Sequence, residues 1–206
     1  MARPFLTDES KAALSAAVRE VESTCSAELV VAVRPRSGSY LHADLIAGAV
    51  AALITLAVLL YSRWEFGLLW FLIDPVLAGF LGGLLASRVP ALRRALTSRA
   101  ARRLRAETAA RSLFVERRVH GTSGRTGILL YVSVLEREAV FVVDLGVESL
   151  AATDAWHKAV GEIEQAVRDG ADGAEVARRL RDLEKLLSPV LERHESDVDE
   201  LPNEVC

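Results

Sequence analysis

The segment HGTSGRTG, residues 120–127, concentrates glycines, hydroxyls and an arginine, which are the residue types of phosphate-binding loops. Such a loop follows a strand and precedes a helix, because the helix N-terminus supplies free N–H groups to the phosphate. Here the predicted order is reversed, and a GKS or GKT ending is absent. We therefore interpret Gly121 and Gly124 as turn residues, and we keep Arg125 and Thr126 at the start of the strand as ligand-binding candidates.

Two carboxylates complete the candidate ligand-binding residues. Asp144 closes a predicted strand just before Gly146, where a carboxylate can act as a base, bind a metal ion or cap the following turn. Glu28 begins another predicted strand, near the same edge of the sheet. His120 has no identifiable serine or cysteine partner, so we expect it to end the preceding helix. The sequence shows no zinc-ligand cluster or nucleophile elbow. It therefore predicts no catalytic residue, with Asp144 as a weak candidate. Whether the protein binds a metal ion is not predicted.

Two apolar segments in the middle of the chain have the length of membrane spans. The first segment covers residues 44–61 and carries no charge after Asp44. The second covers residues 66–86 and is longer, but Asp74 and Pro75 interrupt its apolar run. Either one kinked helix begins near Phe66 and buries Asp74, or Asp74 caps a shorter helix that Pro75 opens; the Asp-Pro pair favours the second. A soluble protein with a buried helical hairpin is the alternative to both. Small residues on the second segment suit close packing against the first, namely Ala78, Gly79, Gly82, Gly83 and Ala86.

Arginines predict the orientation of these spans. Residues 88–105 hold seven arginines and no acid, whereas the connector 62–67 has one arginine and one glutamate. The excess of arginine places both flanks, and with them both termini, in the cytoplasm, so the protein is predicted to be integral to the cytoplasmic membrane with two spans. Nucleic acid is not predicted as a partner, because the basic stretch lacks interleaved aromatics. The candidates for contact with the lipid bilayer surface are Arg88, Arg93, Arg94, Arg99, Arg102 and Arg103.

The flanks of the apolar segments predict an α/β fold. The expected elements are a helix over residues 7–22, a strand over 28–34, a helix over 90–119, strands over 127–134 and 139–146, and helices over 154–169 and 174–191. A strand, helix and strand in succession predict parallel pairing of the first two strands, and the last two strands form a hairpin. We expect one discontinuous domain from residues 1–40 and 98–191, a membrane hairpin with its basic segment over 41–97, and an acidic, mobile tail over 192–206.

This pattern resembles the TPM domain family, named for thylakoid, photosystem-repair and receptor-modulator proteins. The resemblance rests on SAELVVAV and on RTGILLYVSVLEREAVFVVDLGV, with the family's positions held by Ser26, Glu28, Gly127, Arg137, Asp144 and Gly146. Membrane-anchored bacterial members are the most similar, since they read RTG at the second strand and end in a tail like residues 199–204. The resemblance implies an α/β sandwich, with helices on both faces of a small mixed sheet of three to four strands, here interrupted by the transmembrane hairpin.

The resemblance also bears on function. Some family members have been proposed as acid phosphatases or calcium binders, so calcium is the one cofactor that the resemblance implies. We expect a membrane-anchored, cytoplasm-facing interaction or assembly domain without robust catalysis, with a protein partner that the sequence does not name. The alternative is a membrane-bound hydrolase, such as a weak metal-dependent phosphatase, although no small-molecule substrate is identified.

Overall fold

The computed structural model describes residues 5, 7–191 and 193, which divide into two compact units. An α/β unit contains the described residues of 1–37 and 103–206, and a second unit contains residues 38–102. These bounds differ by a few residues from the expected domain limits. The predicted acidic tail falls outside the described residues, apart from Arg193.

The secondary structure follows the predicted order, with one short helix, α6 Glu148–Ala151, added. The single helix predicted over residues 90–119 is wrong, because the helix breaks after Ala95 and the second part ends at Glu116, so His120 lies in a separate 3-10 turn. In chain order the elements are α1 Asp8–Thr24, β1 Glu28–Arg34, α2 Leu41–Tyr61, α3 Leu68–Arg88, α4 Pro90–Ala95, α5 Arg99–Glu116, β2 Gly127–Ser133, β3 Glu138–Val143, α6 Glu148–Ala151, α7 Asp154–Asp169 and α8 Gly173–Leu187. Single 3-10 turns cover Val119–Gly121 and Leu145–Val147.

The three strands form one mixed sheet in the order β1-β2-β3. β1 pairs with β2 in parallel, with Glu28 opposite Gly127, and β2 pairs with β3 antiparallel, with Ile128 opposite Val143. The predicted crossover and hairpin are therefore confirmed. Helices cover both faces of the sheet: α1, α7 and α8 share one apolar cluster with it, and α5 shares the other.

Local signals explain where the helices of this unit begin and end. The Thr7 hydroxyl accepts from the Ser10 N–H at 3.2 Å, and Thr153 and Asp172 cap α7 and α8 in the same way. Gly170 ends α7 with a φ of 95°, which an L-residue adopts only under strain. α8 ends at Leu187, four residues earlier than the apolar pattern predicts.

The expected helix start at Asp74 and Pro75 is wrong. α3 begins at Leu68, with Gly67 as its N-cap, and runs through Pro75. A proline removes one helical hydrogen bond, whereas ending the helix and opening another would leave about four N–H and four C=O groups without helical partners. In an apolar segment the continuous helix is the cheaper solution.

The second unit is a hairpin of two apolar helices. α2 and α3 have 21 residues each and mean hydropathies of 2.4 and 2.0 in their most apolar windows, so both can cross a membrane by length and composition. Glycines bring the two backbones together: a Cβ at Gly48 would lie 2.6 Å from the carbonyl oxygen of Gly79. Arg93 of α4 donates to both carboxylate oxygens of Asp44 in α2, at 2.9 and 2.6 Å.

Candidate functional site

The structure brings the four predicted ligand-binding residues to one end of the sheet. β1 and β2 begin there and β3 ends there, so Glu28, Thr126 and Asp144 are neighbours across the ladder. The Glu28 N–H donates to the Thr126 carbonyl at 3.3 Å, and the Asp144 N–H donates to the Gly127 carbonyl at 2.9 Å. The Thr126 hydroxyl donates to the Ser26 carbonyl at 2.7 Å, so it joins the segments that lead into β1 and β2.

Asp144 and Arg125 form a two-pronged ion pair in this cluster. Arg125 donates from Nε to Oδ2 at 2.7 Å and from Nη2 to Oδ1 at 2.8 Å, and the Leu145 N–H donates to Oδ1 at 2.9 Å. Burial raises the pKa of Asp144, but the hydrogen bonds from Arg125 and Leu145 outweigh burial and hold that pKa below its usual range. A charged carboxylate committed to these donors caps the turn and is a poor base.

The backbone of the loop accounts for Gly127, the last residue of HGTSGRTG, and for Gly146 beside the loop. Arg125 has a φ of 55°, and a Cβ at Gly146 would lie 2.7 Å from the Arg125 carbonyl oxygen. A Cβ at Gly127 would lie only 2.0 Å from the Val119 carbonyl oxygen. The segment therefore carries the chain from a 3-10 turn into β2 through a tightly packed corner. A strand follows it, so the helix N-terminus of a phosphate loop is missing at this place.

We expect Asp144→Asn to destabilise the α/β unit by about 1–2 kcal/mol at neutral pH, because a buried charge-assisted cap is lost while the half-exposed Arg125 limits the effect. In an unfolded chain the pKa of an aspartate is about 3.9, and in the folded chain the pKa of Asp144 is lower than this. Its contribution is therefore present above that pH and is lost as the pH falls through the folded value. Urea unfolding of both chains between pH 7 and pH 3 measures the difference.

Asp182→Asn is the matched control for this prediction. Asp182 pairs with Lys185 at 2.8 Å, but both side chains are exposed. Water and salt screen such a pair, so its loss is expected to leave the unfolding midpoint almost unchanged. If Asp144→Asn and Asp182→Asn shift the midpoint equally, Asp144 is not the cap that its geometry indicates.

A polar groove of about 250 Å³ lies at the opposite end of the sheet, where β1 and β2 end. Its polar lining consists of Arg34, Arg36, Ser37, Ser112, Glu116 and Tyr131. Sequence reasoning missed this groove. The run RPRS indicates only that two arginines lie at the carboxyl end of β1, and no pattern connects them to Glu116 or Tyr131.

A chain of hydrogen-bonded hydroxyls forms the floor of the groove. The Ser133 hydroxyl donates to the buried carboxylate of Glu136, and the Ser37 hydroxyl donates to the Ser133 oxygen at 2.6 Å. The Tyr131 hydroxyl lies 3.0 Å from the Ser37 oxygen. Because Ser37 has already used its single proton, Tyr131 is the donor in that contact. The Tyr131 oxygen can therefore accept a further hydrogen bond, but it has no proton left to donate.

Comparisons with known proteins identify one protein of similar fold and do not assign the chain to a family. No family model matches the chain, and no curated protein matches it. Among solved structures, the NMR structure of the BA42 protein from the psychrophilic bacterium Bizionia argentinensis is similar, with a TM-score of 0.58 and 17% sequence identity. The match covers 98% of this chain and 94% of that chain. At this identity the likeness concerns the fold alone.

The predicted membrane-surface arginines have different surroundings. Arg103 belongs to the α/β unit, where its guanidinium pairs with Glu107 at 2.8 Å and Glu164 at 2.9 Å and donates to the Ala139 carbonyl at 2.9 Å. Arg103 stays a prediction as a membrane-surface residue, although three of its five N–H donors are already used. The other five lie in the hairpin unit and also stay predictions: Arg88, Arg93, Arg94, Arg99 and Arg102. Among them, Arg93 binds Asp44 and Arg102 donates to the Arg94 carbonyl at 3.3 Å.

The described residues contain no group of three or more His, Cys, Asp or Glu side chains placed to hold a metal ion. Calcium binding stays an expectation that the resemblance alone implies. The carboxylate of Asp144, the one acidic candidate at the end of β3, is engaged by Arg125 as described above.

Proposed function

We propose that the protein is a membrane-anchored, TPM-like interaction or assembly domain that faces the cytoplasm. The observation that carries the proposal is the hairpin unit, whose large apolar side chains are exposed along both helices. Leu53 of α2 is 65% exposed and Phe80 of α3 is 69% exposed. An apolar surface of this extent is unfavourable in water and is suited to a bilayer.

The α/β unit supports the TPM-like part of the proposal. Its three-stranded mixed sheet has helices on both faces, and the sequence RTG leads into β2, as the resemblance requires. The arginine-rich residues 88–105 follow α3, and their charge favours a cytoplasmic location for this flank.

The candidate site supports an interaction role over hydrolysis. Asp144 is the only catalytic candidate that the sequence offers, and its carboxylate accepts three hydrogen bonds from Arg125 and Leu145. A base that is fully engaged and whose pKa lies below its usual range removes protons poorly at neutral pH. Turnover of a generic phosphate ester by the intact chain, abolished by Asp144→Asn, would contradict the proposal.

Single cysteines are expected to report the proposed orientation. In a Cys206→Ser background, Glu65→Cys in the connector between α2 and α3 reacts with an impermeant maleimide in intact cells, because the connector lies outside. Arg178→Cys on α8, where the native side chain is 69% exposed, reacts only after the membrane is permeabilised. Gel-shift labelling measures both reactions.

The native Cys25 gives a low background in this experiment. Its side chain is 2% exposed, and burial raises the pKa of its thiol, so little reactive thiolate is present. The reverse pattern, with Arg178→Cys labelled from outside and Glu65→Cys silent, would place the α/β unit on the other side of the membrane.

A further inference from the structure

The groove at the carboxyl end of β1 holds charges of both signs that form no ion pair with one another. Arg34 and Arg36 lie at its strand end, and Glu116 comes from the last turn of α5. Their opposite charges form no ion pair with one another, so their nitrogen and oxygen atoms are more than 4.0 Å apart. The groove therefore has a cationic side and an anionic side with space between them.

The floor of the groove adds a hydrogen-bond acceptor. Tyr131 is 2% exposed, and its proton is used in the contact with Ser37. Burial raises the pKa of Tyr131, so the phenol is neutral at physiological pH. Its oxygen can accept one more hydrogen bond from a ligand that carries a donor.

We propose that this groove binds a small zwitterion that carries an oxyanion and a primary ammonium a few bonds apart. Arg34 and Arg36 take the phosphate or carboxylate oxygens, and Glu116 takes the ammonium, which also donates to the Tyr131 oxygen. A simple anion would face Glu116 without compensation, and a simple cation would face two guanidiniums. A dipolar ligand satisfies both sides at once.

The location and size of the groove support this assignment. In open α/β sheets, ligands bind outside the carboxyl ends of the strands, and β1 and β2 are the parallel pair of this sheet. A volume of about 250 Å³ is below the range of drug-sized pockets and fits a ligand of few heavy atoms. Phosphoethanolamine and free amino acids both have the required charges and size.

The same chemistry has two sources, a soluble metabolite and the headgroup of an aminophospholipid. The lipid is a possible source on sequence grounds, since Leu41, the first residue of the apolar helix α2, comes four residues after Ser37 of the groove. The inference of a zwitterion site does not depend on the proposed interaction role.

Calorimetric titration of the full chain in uncharged detergent micelles tests the site. We expect phosphoethanolamine to bind about tenfold more tightly than inorganic phosphate or ethanolamine at matched ionic strength, because each of these offers only half of the contacts. Glycine, titrated separately, shows whether a carboxylate replaces the phosphate. Equal affinity for phosphate and phosphoethanolamine, or no binding of any zwitterion, overturns the proposal.

Variants assign the two charges separately. Arg34→Gln combined with Arg36→Gln is expected to weaken phosphoethanolamine about tenfold or more, and Glu116→Gln to remove its advantage over inorganic phosphate. Arg36 and Glu116 are exposed and Arg34 is half-buried, so the fold tolerates these changes, which circular dichroism verifies. The control is Arg19→Gln on the exposed face of α1, which leaves binding unchanged. If Arg19→Gln weakens binding as much as the double variant, general charge attraction replaces the site.

Nanodiscs distinguish the two sources of the ligand. A phosphatidylcholine headgroup donates no ammonium hydrogen bond, whereas phosphatidylethanolamine does. If the ligand is a lipid headgroup, soluble phosphoethanolamine binds to the chain in phosphatidylcholine nanodiscs and is displaced in phosphatidylethanolamine nanodiscs. Equal binding in both identifies a soluble ligand. Absence of binding in phosphatidylcholine nanodiscs, together with absence in micelles, overturns the site itself.

Discussion

Gly127→Ala is expected to destabilise the α/β unit by about 3 kcal/mol or more, enough to unfold a domain of ordinary stability. A Cβ at this position would lie 2.0 Å from the Val119 carbonyl oxygen and 2.9 Å from the Val119 Cγ1. Gly127 opens the central strand, which β1 and β3 hold from both sides. The Gly127 carbonyl also accepts from the Asp144 N–H, so neither backbone can move away without breaking the ladder.

Gly161→Ala is the matched control, because a Cβ at Gly161 in α7 would meet no atom within 4 Å. Alanine is the better helix former, so this variant is expected to gain about 0.5–1 kcal/mol. Fluorescence of the buried Trp156, with Trp64 and Trp70 replaced by phenylalanine, follows urea unfolding of the α/β unit in each chain. Equal midpoints for the two alanine variants would show that the corner at Gly127 is looser than its packing indicates.

Much of the α/β unit could be predicted because its signals are local. β1 covers Glu28–Arg34 as expected, since an apolar run is bounded by Ser26 on one side and Pro35 on the other. α7 covers Asp154–Asp169 as expected, because a threonine cap precedes it and Gly170 follows it. The strand–helix–strand rule then gave the parallel pairing without any tertiary information.

The errors lie where a tertiary environment overrides local signals. The Asp-Pro pair is a good helix start in water, but α3 continues through it because its neighbouring turns are apolar. Arg103 is not such an error, since its place at the membrane surface stays a prediction, but the arginine count could not show that it pairs with Glu107 and Glu164. The predicted site residues do meet, as their strand positions indicated, yet the sequence could not show that Arg125 and Asp144 neutralise each other.

The groove could not be predicted, because no spacing in the sequence connects its residues. Arg34 ends β1, Glu116 ends α5 and Tyr131 lies in β2, so only the parallel pairing and the packing of α5 on the sheet bring them together. Arginines after a strand and a glutamate at a helix end are each ordinary surface residues by pattern. Whether the arginines and the glutamate can bind one ligand together depends on the distance between them, which only the tertiary structure determines.

Removal of the hairpin is expected to convert the protein into a soluble, folded α/β domain. The shortened chain joins Ser37 to Ser98 through a Gly/Ser linker in place of residues 38–97, and it retains Ser98 because its hydroxyl accepts from the Ala101 N–H at 3.3 Å at the start of α5. The strands, their flanking helices and both apolar clusters lie in the retained residues. The exposed apolar side chains of α2 and α3 are removed.

The physical reason for this expectation is that the hairpin contributes a connection and no part of the sheet. Loop-closure entropy changes by only about 0.6 kcal/mol for each doubling of length, so a shorter linker holds the two flanks together at least as well. Linkers of about 6, 10 and 14 residues span a range of end-to-end distances.

Cell fractionation should recover the shortened chain in the soluble fraction, and urea should unfold it in one cooperative transition. The same chain with Gly127→Ala is the control, since it keeps the linker but breaks the corner before β2, and it should be unfolded or insoluble. Aggregation at all three linker lengths would show that residues before and after the hairpin do not form one domain, and the TPM-like interpretation would lose its structural basis.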